Sequence, residues 1–336
     1  MSKTLTQESA DLHIQAAPNG KKRVSVRPLK SDLFVSRLTV VTTYPDELIE
    51  LIFSIKGPAW ICDEIARDED PTYVRFELET ELLAHFATEE FANKRILDFG
   101  CGSGASTMIL HRMFPTATIV GAELDPDLLA IARKRAEHYS FPQSNLLLSP
   151  RATDLPPRLG TFDFVIMSAV YEHLLPAERK ILLPRLWSVI KDRGVLFLDQ
   201  TPYRYSPIEG HTTGLPLINY LSDRLAHKVA CRFSRRVEAG ASWESLLRKG
   251  IRGATAGEIL GILRRTGDGT PVLLNPNRNG IRDHIDLWLA VSSARRRPLI
   301  KKIVCGLGKI IHSCTGAFPV STVVLAVRKE RPPLRN

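Results

Sequence analysis

Apolar positions in residues 72–87 (TYVRFELETELLAHFA) recur at Val74, Leu78, Leu82 and Phe86, which is one face of a helix. Residues 45–56 (PDELIELIFSIK) open with Pro and two acids before apolar spacing sets in, as the first turn of a helix would. From about residue 93 the pattern changes to short apolar runs alternating with helical stretches. Strands are expected over 95–99, 118–123, 145–149, 162–167 and 194–199. Helices are expected over 103–114, 126–138 and 176–190. Further on, Thr255-Ala-Gly-Glu258 is a capping box opening a helix over 256–265, and strands are expected over 271–274 and 321–327. Strand–helix alternation with short joints predicts an α/β fold, a mostly parallel sheet with helices on both faces.

This pattern divides the chain. Residues 1–30 are polar, carry Lys21, Lys22 and Arg23, show no periodicity, and read as a mobile tail. Residues 31–92 read as an N-terminal helical cap, and 93–200 as a Rossmann-like core. Residues 201–254 form a substrate-side insert, and 255–276 supply a core helix and strand six. Residues 277–320 form a second, basic and amphipathic insert, and 321–336 the last strand and tail. Inserts of this length in a compact domain are usually functional or disordered.

Composition narrows the class. The 336 residues are 44% hydrophobic and 24% charged, which excludes a disordered chain or a collagen. Five scattered cysteines without a C-x-x-C argue against a disulfide framework or a structural zinc site and for a reducing compartment. The first residues show no apolar signal core and no transmembrane helix is expected, so a cytoplasmic location is expected. Net charge is +10, concentrated late: from Ser222 onward 22 Lys and Arg face 8 Asp and Glu. A basic third fits an anionic substrate, nucleic acid or an anionic membrane surface. Nucleic acid is disfavoured, because Phe233–Gly253 lacks interleaved exposed aromatics. In 299–311, Leu299, Ile300, Ile303, Val304, Leu307, Ile310 and Ile311 fall on one stripe with lysines opposite and Arg295-Arg-Arg297 ahead. Such a helix packs on the core or lies peripherally, through 295–312, on the inner face of a membrane.

The strongest signal is Ile96-Leu-Asp-Phe-Gly100-Cys-Gly102-Ser-Gly104-Ala-Ser-Thr107, which follows a strand and opens a helix. Glycines let a backbone turn sharply beside a ligand, and the helix N-terminus supplies free N–H groups. Glu123 ends the next strand, where an acid can accept both ribose hydroxyls. Gly100-Cys-Gly102-Ser-Gly104-Ala105 also fits the dinucleotide pattern of dehydrogenases. Asp98 argues against that reading, since a carboxylate there would oppose a pyrophosphate. It suits a ligand with an ammonium, a sulfonium and a ribose, which describes S-adenosylmethionine.

Four segments in order, ILDFGCGSGAST, IVGAELDPDLLAIARKRA, LPPRLGTFDFVIMSAVYEHL and LWSVIKDRGVLFLDQTP, resemble the class I S-adenosylmethionine-dependent methyltransferases, over 93–202 and more loosely over 255–276 and 321–329. The resemblance implies a seven-stranded Rossmann-like sheet and direct methyl transfer from S-adenosylmethionine. It implies that Asp98, Gly100, Gly102 and Gly104 line the methionine end, with Cys101 also in the cofactor-binding turn. Glu123 would hold the ribose, Leu124 pack on the adenine, Ala152 sit at the adenine edge and Ser168 lie near methionine. Cys101 reads as a small packing residue within the turn, not a nucleophile. The family often has Asp where this chain has Arg151. Either Asp154 substitutes, or backbone and packing hold the adenine. Asp125 reads as a helix cap with Pro126 behind it.

The acceptor is less legible. Tyr171-Glu172-His173-Leu174 resembles the E-H-L step of type 11 and ubiquinone-type methyltransferases. The stretch from Thr201 to Pro216 resembles a loop in bacterial methyltransferases associated with polysaccharide or glycolipid assembly. An alcohol acceptor needs a base. His211 is the leading candidate, with Glu209 as its orienter and His173 as a further catalytic candidate. The leading acceptor is a sugar hydroxyl of a glycan or glycolipid precursor. A quinone or other lipophilic small molecule methylated on carbon or oxygen, and a silent S-adenosylmethionine-binding scaffold, are the alternatives. The acids show no metal-ligand spacing, so no metal is expected.

Overall fold

The computed structural model describes residues 2–291, 298–315 and 320–331. In chain order the regular elements are strands β1 (Ser2–Gln7), β2 (Ala10–Ala16), β3 (Lys22–Pro28) and β4 (Thr39–Thr42), then helices α1 (Asp46–Glu69) and α2 (Val74–Leu83). Next come β5 (Arg95–Phe99), α3 (Ala105–Met113), β6 (Thr118–Glu123), α4 (Pro126–His138), β7 (Leu146–Leu148), β8 (Phe162–Ser168), α5 (Pro176–Ser188) and β9 (Ile190–Pro202). The chain continues with α6 (Asp223–Phe233), α7 (Trp243–Arg248), α8 (Ala256–Arg264), β10 (Thr270–Leu273), α9 (His284–Val291), α10 (Pro298–Thr315) and β11 (Thr322–Glu330).

Seven strands form one sheet in the order β10-β11-β9-β8-β5-β6-β7. β5 with β8, β8 with β9, and β6 with β7 are parallel, whereas β9 with β11 and β11 with β10 are antiparallel. The fold is therefore the α/β, mostly parallel seven-stranded class expected from the alternating pattern. β8 (FDFVIMS) is buried along nearly its whole length, as a strand covered on both faces requires.

The chain divides into two compact units. One comprises the residues up to Glu79 with Cys101–Pro115 and Ile119–Leu148. The other comprises Thr80–Gly100, Thr116–Thr118 and the chain from Ser149 onward.

In the first unit the N-terminal segment is not a tail. β1 to β4 form a four-stranded antiparallel sheet. Ala10, Leu12, Ile14, Val24 and Val26 alternate with polar neighbours and are buried. Leu12 pairs with Val26 and Ile14 with Val24, so one sheet face packs in a core with Leu48, Ile52, Ile65 of α1 and Ile131 of α4. The polar composition comes from the opposite face, and the short period-2 runs become a sheet only through pairing between distant strands. The cap expected over 31–92 thus holds a strand as well as helices. α1 is longer than expected and breaks at Gly57, whose φ of +68° precedes Pro58.

In the second unit the insert over 201–254 has its own core of Ile218, Ala226, Ala230, Leu246 and Ile251. Arg252 is buried beneath it, donating to the Leu221 carbonyl at 2.9 Å and to Asp223 at 2.7 Å, with its guanidinium 5.0 Å from the Trp243 ring centre. In the second insert, Cys305 of α10 is buried with Ile285 and Val320, and Lys309 bridges Asp283 and Asp286. Ile303, Leu307, Ile310 and Ile311 are exposed, so these members of the expected apolar stripe do not face the core. Arg295, Arg296 and Arg297 lie outside the described residues, as do residues 332–336 of the expected tail.

Candidate functional site

The glycine turn is built as its sequence requires. Gly100, Gly102 and Gly104 have φ of +74°, +56° and +83°. Only glycine adopts these angles cheaply. At Gly104 a Cβ would also lie 2.7 Å from Ala132 Cβ of α4, so the close approach of turn and helix needs glycine twice over. A Cβ on Gly102 would meet nothing within 4 Å among the described residues, which leaves that face of the turn open for a ligand. At Gly100, in the second unit, a Cβ would lie 2.3 Å from Val170 Cγ2.

In the first unit Glu123, at the end of β6, is buried. Its Oε2 accepts the Gly102 N–H at 2.7 Å, and its Oε1 accepts those of Leu124 at 2.7 Å and Asp125 at 2.9 Å. Three backbone donors hold the carboxylate against the turn, and Oε2 keeps acceptor capacity for a further donor. Leu124 beside it is an exposed apolar residue. Cys101 is buried, and its Sγ lies 3.0 Å from where a Cβ on Gly121 of β6 would stand. Its side chain thus packs against β6, as expected of a small residue there. Asp125 caps α4, accepting from Asp127 N at 2.8 Å and Leu128 N at 3.3 Å.

A buried charge network behind the turn was missed at the level of sequence. Arg135 of α4 is fully buried and donates to the Ser103 carbonyl and hydroxyl, each at 2.7 Å. It also donates to the Glu64 carbonyl at 2.7 Å, to the Glu64 carboxylate at 3.0 Å and to the Tyr44 hydroxyl at 2.9 Å. Ser103 also donates to Glu64. Burial opposes the Glu64 charge, but Arg135 and Lys56 outweigh it and hold the carboxyl down to about 2. The spacing of Glu64, Ser103 and Arg135 along the chain carries no signal that they meet.

In the second unit Asp98 is buried at the end of β5, and Ser168 is half-buried at the end of β8. Ala152 is half-buried in the turn after β7. The neighbouring Arg151 is largely exposed, and the Asp154 carboxylate is paired with Arg185, which also donates to the Thr153 carbonyl at 2.7 Å. Asp154 is therefore already engaged by a cation.

The expected His211–Glu209 pair is not formed. Glu209 is buried and spends both oxygens on its own loop. Oε1 accepts from the backbone N–H of His211 at 3.0 Å and of Thr212 at 2.9 Å. Oε2 accepts from the Thr213 N–H at 2.6 Å and hydroxyl at 2.7 Å. A carboxylate that closes a tight loop in this way fixes the His211 backbone and does not orient its ring. The ring instead meets residues from the turn after β8. Donor atoms of Glu172, His173 and His211 lie within 4.8 Å of one another, and the two imidazole centres are 6.0 Å apart. Burial raises the Glu172 carboxyl above the usual carboxylate range. Burial, then the neighbouring His173, lowers the His211 imidazole.

Residues 96–194, from β5 into β9, match the family described as a methyltransferase domain. Over 140 residues the chain is 35% identical to trans-aconitate 2-methyltransferase of Variovorax paradoxus (strain S110), covering 40% of this chain and 50% of that one. Over 86 residues it is 40% identical to trans-aconitate 2-methyltransferase of Yersinia pseudotuberculosis (serotype O:1b, strain IP 31758), covering 24% and 33%. The chain spans at most about half the length of these curated relatives. Among solved structures, that of PKMT2 from Rickettsia typhi is similar at 13% identity and a TM-score of 0.45, covering 78% of this chain and 53% of that one. The stretch from Ile96 to Gly194 is thus the part of the chain that is similar to methyltransferase domains.

Proposed function

We propose that the protein is an S-adenosylmethionine-dependent methyltransferase acting on an oxygen nucleophile. The observation that carries this reading is the Gly102–Glu123 arrangement: a turn open on its ligand side, with a carboxylate held against it and able to accept one more donor. Bound S-adenosylmethionine supplies a methyl group already activated on a sulfonium. The residues' task is then alignment and, where the acceptor needs it, handling of a proton. Gly102 and Gly104 give the cofactor backbone access, Glu123 accepts from the ribose, and Leu124 offers an apolar surface to the adenine. For Asp98, Gly100, Ala152 and Ser168 of the second unit the roles remain those that the resemblance implies. Asp98 favours the cationic methionine end and disfavours a pyrophosphate.

On the acceptor side, Glu172, His173 and His211 replace the His211–Glu209 pair. The raised Glu172 carboxyl and the imidazoles beyond β8 and β9 are candidate proton acceptors for a nucleophile that must lose a proton, and a sugar hydroxyl of a glycan or glycolipid precursor is the leading choice. A second reading is a carboxylate acceptor. It is supported by the similarity of the core to enzymes named trans-aconitate 2-methyltransferases. The exposed apolar face of α10 supports contact with an anionic membrane surface, where a lipid-linked acceptor would be met, in a chain whose later third is strongly basic. Among the described residues no helix is long and apolar enough to cross a membrane.

Calorimetric titration with S-adenosylhomocysteine, with NAD(H) in parallel, tests the cofactor. Micromolar binding of the first alone supports the reading, and binding of neither removes it. Transfer of labelled methyl to panels of sugars and carboxylic acids tests the acceptor. A base-stable ether product supports the hydroxyl, and a base-labile ester the carboxylate.

A further inference from the structure

We propose that Glu172, His173 and His211 form a binding site for a first-row divalent cation of the zinc class. The site lies entirely in the second unit, and its donors come from two parts of the chain that only the fold brings together.

Glu172 is completely buried. Its Oε2 accepts the Thr201 hydroxyl at 3.0 Å, while Oε1 has no hydrogen-bond partner among the described residues. A buried carboxylate oxygen with no donor is costly, and nearly all such atoms in folded proteins are satisfied. The group in front of Oε1 is His173 Nε2, at 3.7 Å. His173 Nδ1 lies 2.7 Å from the Arg248 carbonyl. A carbonyl can only accept, so the ring proton sits on Nδ1, and in the neutral imidazole Nε2 presents a lone pair to the carboxylate. Two acceptors facing each other call for a proton or a cation between them.

His211 completes the set. Its backbone is held by Glu209, and its ring closes against Gly250. A Cβ on Gly250 would stand 2.8 Å from His211 Cδ2, 3.1 Å from its Nε2 and 3.3 Å from Glu172 Cγ, and φ there is +90°. Space and backbone conformation together reserve this position for glycine, which keeps the imidazole seated over Glu172.

The donors fit the chemistry. Two imidazoles and a carboxylate suit Zn²⁺ and its neighbours, and three protein ligands leave a coordination position open. Ligating histidines usually donate their other N–H to a carbonyl or carboxylate, and ligating carboxylates are themselves hydrogen-bonded. The Arg248 carbonyl and the Thr201 hydroxyl supply these outer contacts. Donor atoms up to 4.8 Å apart must draw together by small side-chain rotations on binding. His173, about half exposed, has room to move. An acceptor oxygen would take the open position. That consequence rests on the methyl-transfer reading, whereas cation binding does not.

The test is titration of the metal-stripped full-length chain with Zn²⁺ in a calorimeter and with Co²⁺ by visible absorption. The expected result is one equivalent bound at micromolar affinity or tighter, with nitrogen- and oxygen-ligated Co²⁺ bands that persist in Cys314→Ser. His173→Ala and His211→Ala should each weaken binding at least about tenfold. Thr201→Val, which keeps all three ligands, should also weaken it about tenfold at unchanged circular dichroism. No saturable binding, equal affinity in the His173→Ala/His211→Ala double variant, or thiolate charge-transfer bands would overturn the proposal. S-adenosylhomocysteine titration of the same metal-stripped protein keeps this outcome separate from that of the cofactor reading.

Discussion

Glu123 accepts the backbone N–H of Gly102 at 2.7 Å, so the acid at the end of one strand fastens the glycine turn that follows another. The contact sets the turn before any ligand arrives and leaves one acceptor position for it. Replacing Glu123 with Ala should remove both functions. A hydrogen bond to a charged group contributes about 1.5–3 kcal/mol, so affinity for S-adenosylhomocysteine should fall roughly tenfold or more. Calorimetry on the folded variant measures this, and unchanged affinity would sink the cofactor assignment.

Gly104 packs its missing Cβ against Ala132. Gly104→Ala should cost about 1–3 kcal/mol of stability through positive φ and overpacking together. Adding Ala132→Gly should recover the steric part only. Urea midpoints of the two single variants and the double variant resolve the shares, and a neutral Gly104→Ala would contradict the close approach.

The Glu64–Arg135 pair ties acid stability to the turn. The Glu64 carboxyl titrates at about 2 when folded, against an ordinary 4.5. Its contribution is therefore complete above pH 4.5 and is lost as pH falls from there toward 2. The linked stability is on the order of 3 kcal/mol. Glu64→Gln should lower stability at neutral pH and flatten its pH dependence over that window. Chemical denaturation from pH 2 to 7 would show this, and parallel curves for variant and wild type would refute it.

Glu209 satisfies three backbone amides from His211 to Thr213. Glu209→Ala should raise hydrogen exchange at those amides and destabilise the loop by about 1–3 kcal/mol. S-adenosylhomocysteine binding should persist while methyl transfer falls, because the His211 backbone loses its anchor. Retained turnover together with faster exchange would remove His211 from the acceptor side.

Ile303 and Leu307 sit on the exposed face of α10. If that face meets lipid, the protein should sediment with anionic vesicles, less with neutral ones, and Ile303→Asp/Leu307→Asp should abolish the difference. Equal sedimentation of variant and wild type would exclude this face.

Where structure is decided by neighbours in sequence, the chain was readable. The strand Arg95–Phe99, the three glycines after it, Glu123 and the Asp125 cap follow from alternation, positive φ and the need of a helix N-terminus for acceptors. All of these act within a few residues or one strand–helix repeat. The N-terminal sheet was not readable in this way. Its strands are short, its outer face polar, and Leu12 opposite Val26 is a fact of register. Glu209 binds the amides of His211 to Thr213 and the Thr213 hydroxyl, contacts within four residues that alternation and helix periods do not show. Tertiary structure alone placed Arg135 behind Ser103, and His211 beside Glu172 and His173, because long-range packing selects contacts that spacing along the chain does not encode.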